Sequence, residues 1–323
     1  MALLLTEQDV RALLPMKLAL EAVEECFVRQ AKGELAIEPR RRVEFAERGF
    51  LHSMAAADRA GGYFGAKLYA TGRGPARFLF LLYSAETSHL LALIEADALG
   101  QLRTGAASGV ATNYLARPEA RTLGMIGTGY QARAQLEAVA SVRRIDRVRA
   151  FGRDPERRAG FAREMSAKLG LAIEAVDSAE QAVRDTDIVI TATSSARPVL
   201  EGNWLVEGAH VNAMGANWAH RREIDDDAVR RAAVIAVDFI PAAKLEAGDL
   251  IQAFAGASAR WESVRELAGI VGGNTAGRTS AKEITLFKSV GIAAWDVAVA
   301  ARVYERAVAE KRGVQTPLWQ QGD

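Results

Sequence analysis

A single cysteine, Cys26, stands in the 323-residue chain, so no disulfide can close within it. Four histidines lie scattered without the paired spacings that hold zinc, and no metal is expected. No apolar run reaches the roughly 18 residues that a membrane-spanning helix needs, so no membrane partner is expected. The opening MALLLTEQDVRALL begins apolar but meets Glu7 and Asp9 early. It lacks a basic region and a small-residue cleavage site, so the chain reads as cytoplasmic. Neither charge is in excess: 41 Lys and Arg against 40 Asp and Glu leave +1, which argues against nucleic acid as a partner. Repeats and low-complexity segments are missing as well. What is present is half hydrophobic and a quarter charged, ordinary for a folded enzyme, and long enough to predict two domains.

Thr6 and Asp9 predict a capped short helix, and Pro15 starts a second that runs to about Ala31. Strand patterns follow at Arg42–Phe45, Tyr63–Tyr69, Phe78–Tyr83 and Leu90–Glu95, punctuated by Gly61-Gly62 and Gly72-Arg73-Gly74-Pro75. Successive strands without helices between them suggest a mainly antiparallel sheet. A helix from about Leu99 to Leu115 ends at Arg117-Pro118. Beyond it, strands at Thr122–Ile126, Val148–Phe151, Asp187–Thr191, His210–Met214 and Val234–Val237 are interleaved with amphipathic helices. That alternation predicts a Rossmann-type, doubly wound parallel sheet. The tail from Ile284 to Lys311 reads as one long helix. The expected organisation is α/β: a smaller α+β domain over 1–117, joined by a C-terminal helix of about 296–323, and a dinucleotide domain over 118–295.

Gly127-Thr128-Gly129-Tyr130-Gln131-Ala132 follows a predicted strand and opens a helix, the context a dinucleotide phosphate loop requires. Gly127 permits the tight turn, Gly129 lets pyrophosphate approach the backbone, and Ala132 replaces the third glycine where helix and strand pack closely. After the second strand stands Gly152-Arg153-Asp154. An arginine suits a 2′-phosphate, so NADP(H) is the preferred cofactor and NAD(H) the alternative, in which Asp154 holds the ribose instead.

Arg103-Thr104-Gly105-Ala106-Ala107-Ser108 resembles the helix start that the ornithine cyclodeaminase/mu-crystallin family carries ahead of its nucleotide domain. Phe64-Gly65-Ala66-Lys67 resembles that family's lysine-bearing strand. Gly215-Ala216-Asn217-Trp218 through Arg222-Glu223-Ile224-Asp225, then Gly277-Arg278 and Ile284 to Gly291, resemble its later segments. The resemblance covers nearly the whole chain. It implies a homodimer joined through the N-terminal sheets, a substrate site between the domains, and hydride transfer at the α-carbon of a small carboxylate-bearing imino or amino acid. Arg42, Lys67 and Arg103 fall where the family holds the substrate carboxylate, and guanidinium forks and ammonium groups suit that task. Arg40 and Arg41 are alternatives to Arg42, and each of these cations has a structural salt bridge as its plainer reading. Thr104, Thr128, Tyr130, Gln131, Arg221 and Ser289 fall at cofactor positions by the same resemblance. Thr191 and Thr193 end a strand where ribose or adenosine contacts are usual.

Two departures from the cyclodeaminase pattern stand out. His52 and Asn217 occupy positions where the resembled cyclodeaminases carry acids. Asn217 can orient a substrate but cannot act as a base, whereas His52 is either an acid–base group or a hydrogen-bonded structural residue. The expected activity is therefore reduction of a cyclic ketimine such as pyrroline- or piperideine-2-carboxylate. Lys67 or His52 would manage the proton, with Asn217 beside them. The alternatives are a cyclodeaminase-type lyase, reductive amination as in alanine dehydrogenase, and a cofactor-binding protein without turnover.

Overall fold

A computed structural model describes residues 1–318 and divides the chain into two units, one of Met1–Thr104 with the chain from Ile292 onward, the other of Gly105–Gly291. The first unit opens with β1 (Ala2–Leu5), α1 (Glu7–Leu13), α2 (Met16–Ala31), β2 (Leu35–Ile37), β3 (Arg41–Ala46), β4 (Gly49–Asp58), β5 (Tyr63–Thr71), β6 (Phe78–Ser84) and β7 (Leu90–Glu95). The helix α3 (Asp97–Leu115) carries the chain into the second unit. There follow β8 (Thr122–Ile126), α4 (Tyr130–Val142), β9 (Arg147–Phe151), α5 (Pro155–Leu169), β10 (Ile173–Ala175), α6 (Ala179–Val183), β11 (Ile188–Thr191) and β12 (His210–Ala213). Then come α7 (Asp226–Arg231), β13 (Ala232–Val237), α8 (Ile240–Glu246), α9 (Gly248–Ala253), β14 (Arg265–Glu266), α10 (Leu267–Val271) and β15 (Ile284–Lys288). Finally α11 (Ala293–Ala309) and β16 (Val314–Thr316) return to the first unit.

The expected cap forms at α1: Thr6 Oγ1 accepts from the Asp9 amide while Asp9 accepts from the Thr6 amide. Glu7 in turn receives the Asp97 and Ala98 amides, which fixes where α3 begins. The first unit's sheet runs β16-β1-β7-β6-β5-β4-β2, with β3 also on β4, antiparallel except for the β1–β7 pair. Its longest strand, the ten-residue β4, is not among the sequence-derived strands. The Ala55–Ala57 run lowers β propensity, yet the burial of His52, Met54, Ala56 and Asp58 keeps the period of two.

That period gives the sheet two unequal faces. His52, Met54, Lys67, Tyr69, Phe80, Leu82, Ala92 and Ile94 are buried on one face, on which α11 packs with α2 beside it, Phe27 meeting Trp295 edge-on at 5.5 Å. The other face carries Leu51, Phe64, Leu68, Leu79, Leu81, Leu91 and Leu93, all at least partly exposed. It is apolar and incompletely covered within the described chain.

In the second unit every strand pair is parallel, in the order β10-β9-β8-β11-β12-β15-β13-β14. Ile188 and Ile190 face one core with Leu123, Leu136 and Phe161, while Val189 faces another with Val211, Ile235 and Leu286. A strand buried on both faces therefore reads as a continuous apolar run. The order reverses between β8 and β11, and the carboxyl ends at such a reversal form the ligand crevice of doubly wound sheets. The second half of α3 joins this unit through Asn212, which donates to Thr112 Oγ1, and Arg143, which donates to the Asn113 carbonyl.

The single helix expected over 284–311 is corrected. Ile284–Lys288 is a strand, buried throughout between β12 and β13. Its β-branched and aromatic residues favour that place, and Gly291 at φ 78° breaks the chain before α11. The helix expected to reach 323 ends at Ala309 and is followed by β16. Residues 319–323 of that expectation lie outside the described residues. Among the described residues no helix is long and apolar enough to cross a membrane.

Candidate active site

Strand pairing builds the first part of the site. Arg42 pairs with His52 and His52 with Tyr69, and one step along the same face Met54 pairs with Lys67. Of the three consecutive arginines, Arg41 points outward beside Glu38, while Arg40 is buried with Nε 3.3 Å from Met54 Sδ. Arg42 is half-buried. Alternation along the strand thus turns Arg40 and Arg42 toward the Lys67 face and Arg41 away from it.

Lys67 and Arg103, which the sequence places 36 positions apart, converge on a third residue. Lys67 Nζ donates to Asp296 Oδ1 at 3.0 Å, and Arg103 Nε donates to the same oxygen at 3.1 Å. Asp296 is 0% exposed. It lies in the first turn of α11, where the helix dipole favours a carboxylate. Burial raises its carboxyl, but Arg103 and Lys67 outweigh that and hold it below the usual range. Burial pushes the Lys67 ammonium down to about 8; Asp296 opposes the change, whereas Arg103 and Arg40 add to it. Phe78 lies 5.0 Å from Nζ and Trp295 lies 5.6 Å from the Arg103 guanidinium, so aromatic faces line both cations. Two cations share one carboxylate, and the buried group carries one net positive charge.

His52 lies flat on Tyr69, ring centroids 4.3 Å apart, with Nε2 2.9 Å from Thr71 Oγ1. Burial, with Arg42 and Arg40 nearby, pushes its imidazole down to about 4. It is therefore neutral at neutral pH.

Asp296 went unnoticed in the sequence because it sits 229 residues beyond Lys67, within Ala293–Val303, which reads as a core helix. The available signal was an acid on the apolar face of that helix.

The second unit holds the residues expected to bind a dinucleotide. Gly127 adopts φ 106°, and its amide donates to the Phe151 carbonyl at 2.8 Å. A side chain there would collide with the Ala192 carbonyl. Gly129 is the N-cap of the 13-residue α4, which has no side-chain cap. A Cβ on Gly129 would meet nothing within 4 Å. An uncapped helix N-terminus behind a glycine with open space is the arrangement that receives a pyrophosphate. Thr128 packs against Gly152, Ala132 is wholly buried in the core beneath, Gln131 is half-buried and Tyr130 is 47% exposed. After β9, Arg153 is exposed, while the Asp154 side chain caps α5 by accepting from the Glu156 and Arg157 amides.

Other sequence-derived positions have partners inside the protein. Thr104 donates to the Gly100 carbonyl at 2.7 Å. Thr191 and Thr193 both donate to the buried Glu223, and Ser289 donates to Asp238 at 2.9 Å. Arg278 braces the Leu115, Gly208, Ala209 and Glu283 carbonyls. Arg221 is exposed, and Asn217 is half-buried in the loop after β12.

The model of the ornithine cyclodeaminase/mu-crystallin family matches residues 1–311. Δ1-pyrroline-2-carboxylate reductase of Bacillus cereus is 39% identical over 237 residues, 73% of this chain and 72% of that protein. The structure of the Thermococcus litoralis Δ1-pyrroline-2-carboxylate reductase, in complex with NADH and L-proline, is similar at a TM-score of 0.93 and 36% identity, covering 97% of this chain and 100% of that one. An archaeal alanine dehydrogenase dimer with bound NAD is similar at 0.92 and 35%, covering 98% and 99%.

Proposed function

The chain belongs to the ornithine cyclodeaminase/mu-crystallin family, and we propose that it reduces the C=N bond of an imino acid, a cyclic ketimine such as pyrroline- or piperideine-2-carboxylate, at the expense of a nicotinamide dinucleotide. The observation that carries this reading is the buried cluster in which Lys67 and Arg103 share the one carboxylate of Asp296. A bound substrate carboxylate supplies the missing negative charge, and burial strengthens that attraction. Relatives named as reducing pyrroline-2-carboxylate, one of them holding NADH and L-proline, support the same substrate class.

The nicotinamide supplies the hydride when bound. Lys67 and Arg103 hold the carboxylate and so fix the imine carbon. Lys67, lowered toward neutrality but still protonated at pH 7, holds the proton that the imine nitrogen requires. His52, neutral and stacked on Tyr69, is assigned to shaping the pocket, with Asn217 an orienting amide. A diamino acid would bring a second ammonium toward Lys67 and Arg103, and the two cyclodeaminase acids are here His52 and Asn217. That mismatch disfavours ornithine. Because Lys67 acts protonated, kcat/KM is expected to hold below pH 8 and fall as pH rises through about 8. A pH–rate profile checks this, and a flat profile to pH 10 would remove Lys67 from the role.

The cofactor is assigned as NADP(H). Arg153 is exposed after β9, and Asp154, the acid that would bond both ribose hydroxyls of NAD, is occupied as the cap of α5. NAD-bound relatives keep NAD(H) as the alternative. Arg153→Ser is expected to raise KM for NADPH about tenfold, the loss of one charge-assisted hydrogen bond, and to change KM for NADH less than twofold. Steady-state kinetics with both cofactors decides it, and equal effects would refute the assignment. The apolar outer face of the first unit's sheet is assigned to a second copy of the chain. The alanine dehydrogenase dimer supports that partner.

The test of function is a panel with NADPH and NADH. Cyclic imino acids should be reduced in preference to pyruvate with ammonia, and L-ornithine should release no ammonia. Ammonia release from ornithine without net cofactor turnover would overturn the reductase reading in favour of a lyase.

A further inference from the structure

Beneath the carboxyl ends of β11, β12 and β15 lies a charged group that the proposed chemistry does not use. Glu223, Asp249 and Lys288 are each 0% exposed. Charges so deep cost several kcal/mol each unless paired and hydrogen-bonded, so their partners indicate what they are for. Glu223 receives four donors: the Thr191 hydroxyl at 2.9 Å, the Thr193 amide and hydroxyl both at 2.7 Å, and the Gly215 amide at 2.6 Å. Lys288 donates to the Ala216 carbonyl at 2.6 Å and pairs with Asp249 at 2.8 Å. Asp249 closes the ring by accepting the Glu223 amide at 2.6 Å and the Ile224 amide at 3.0 Å.

Those partners are not spread over the core. They grip the two residues immediately before Asn217, through the Gly215 amide and the Ala216 carbonyl, and the end of β11. Gly215 sits so close to Glu223 and to the Thr193 carbonyl that a side chain there would collide with both. The grip reaches further through Ala192, whose carbonyl abuts Gly127 of the phosphate loop. One carboxylate thus ties the loop that presents Asn217 to the strand end that backs the phosphate loop.

We propose that Glu223, held by Lys288 and Asp249, is a positioning residue that sets the Gly215–Asn217 loop and the end of β11 in the one geometry that receives the dinucleotide. It rests on the dinucleotide-dependent reading above, and it does not depend on which imino acid is the substrate. Glu223 itself touches neither ligand. Its demand is for four acceptor contacts, which a carboxylate meets and an amide cannot. In Glu223→Gln, either amide orientation turns an N–H toward the Thr193 or the Gly215 amide, and one of those hydrogen bonds is replaced by a donor–donor clash.

The test is direct binding of NADPH and NADH to Glu223→Gln by cofactor fluorescence, together with amide hydrogen exchange over 191–193 and 214–218, thermal unfolding and steady-state kinetics. Expected are at least tenfold weaker dinucleotide binding, faster exchange at Thr193 or Gly215, and a KM for the imino acid within twofold of the parent. Unchanged binding and exchange would overturn the proposal. So would equal losses in both KM values tracking the loss of thermal stability, the mark of a merely structural residue. Should Glu223→Gln fail to fold, the double variant Asp249→Asn/Lys288→Met keeps an acceptor for the Glu223 amide and removes both members of the buried ion pair together, so that no cation is left facing an amide N–H. A threefold or greater weakening of dinucleotide binding is expected there, and none would equally overturn the proposal. Because the binding arm needs no substrate, a wrong substrate assignment would fail the kinetic panel and leave this result legible.

Discussion

Lys67→Met is expected to lower kcat/KM for a cyclic imino acid by about 10³-fold, or about 4 kcal/mol of transition-state stabilisation, while dinucleotide binding stays within twofold. Methionine keeps the length and packing of the side chain against Phe78 and removes only the ammonium. The fold should tolerate it. With Lys67 gone, Arg103 and Asp296 remain as a neutral buried pair. The loss therefore belongs to chemistry and carboxylate binding rather than to folding, which unfolding curves alongside the kinetics would show. Turnover within tenfold of the parent would remove Lys67 from the mechanism.

Asp296→Asn moves the charge of the same cluster the other way and should act on stability first. It leaves two buried cations without a counter-charge, and breaking a buried ion pair by removing one partner costs about 3–5 kcal/mol. Denaturant unfolding should show that loss. Activity should change in a diagnostic manner. Asp296 opposes the fall of the Lys67 ammonium from its ordinary value, so without it Lys67 deprotonates at lower pH and the alkaline limb of kcat/KM moves below 8. A substrate carboxylate also becomes the only anion on the two cations, and the protein should be stabilised by substrate analogues more than the parent is. An unchanged unfolding midpoint and pH limb would show that Asp296 does not hold the cations.

The strand, glycine turn and helix proposed to receive the dinucleotide were legible because their requirements are local. A strand, two glycines and a helix occupy one short stretch of chain, and Gly127 needs its left-handed backbone whatever the rest of the protein does. The alternation of β8, α4, β9 and α5 was legible for the same reason, since each repeats a period that a short window contains. Lys67 and Arg103 entered through resemblance. Asp296, which binds them together, did not, because nothing near residue 67 announces a residue 229 positions on. Strand β4 was hidden by its alanines and β15 by its shortness, since five residues running straight into the apolar pattern of α11 suit a central strand and a buried helix equally well. In the sequence Glu223 is only one letter of the Arg222–Asp225 segment. Its work lies in donors from β11 and from the loop after β12, which only the assembled sheet brings within reach.

Deuterium tracing follows the transferred hydride itself. The protein is supplied with NADPH deuterated at the transferable position of nicotinamide C4 and with pyrroline-2-carboxylate, and the product is read by mass spectrometry and NMR. Proline carrying one deuterium, at the α-carbon, is expected, in step with cofactor oxidation and without ammonia. Proline free of deuterium, or no proline under conditions in which L-ornithine yields ammonia, would contradict the proposed reduction.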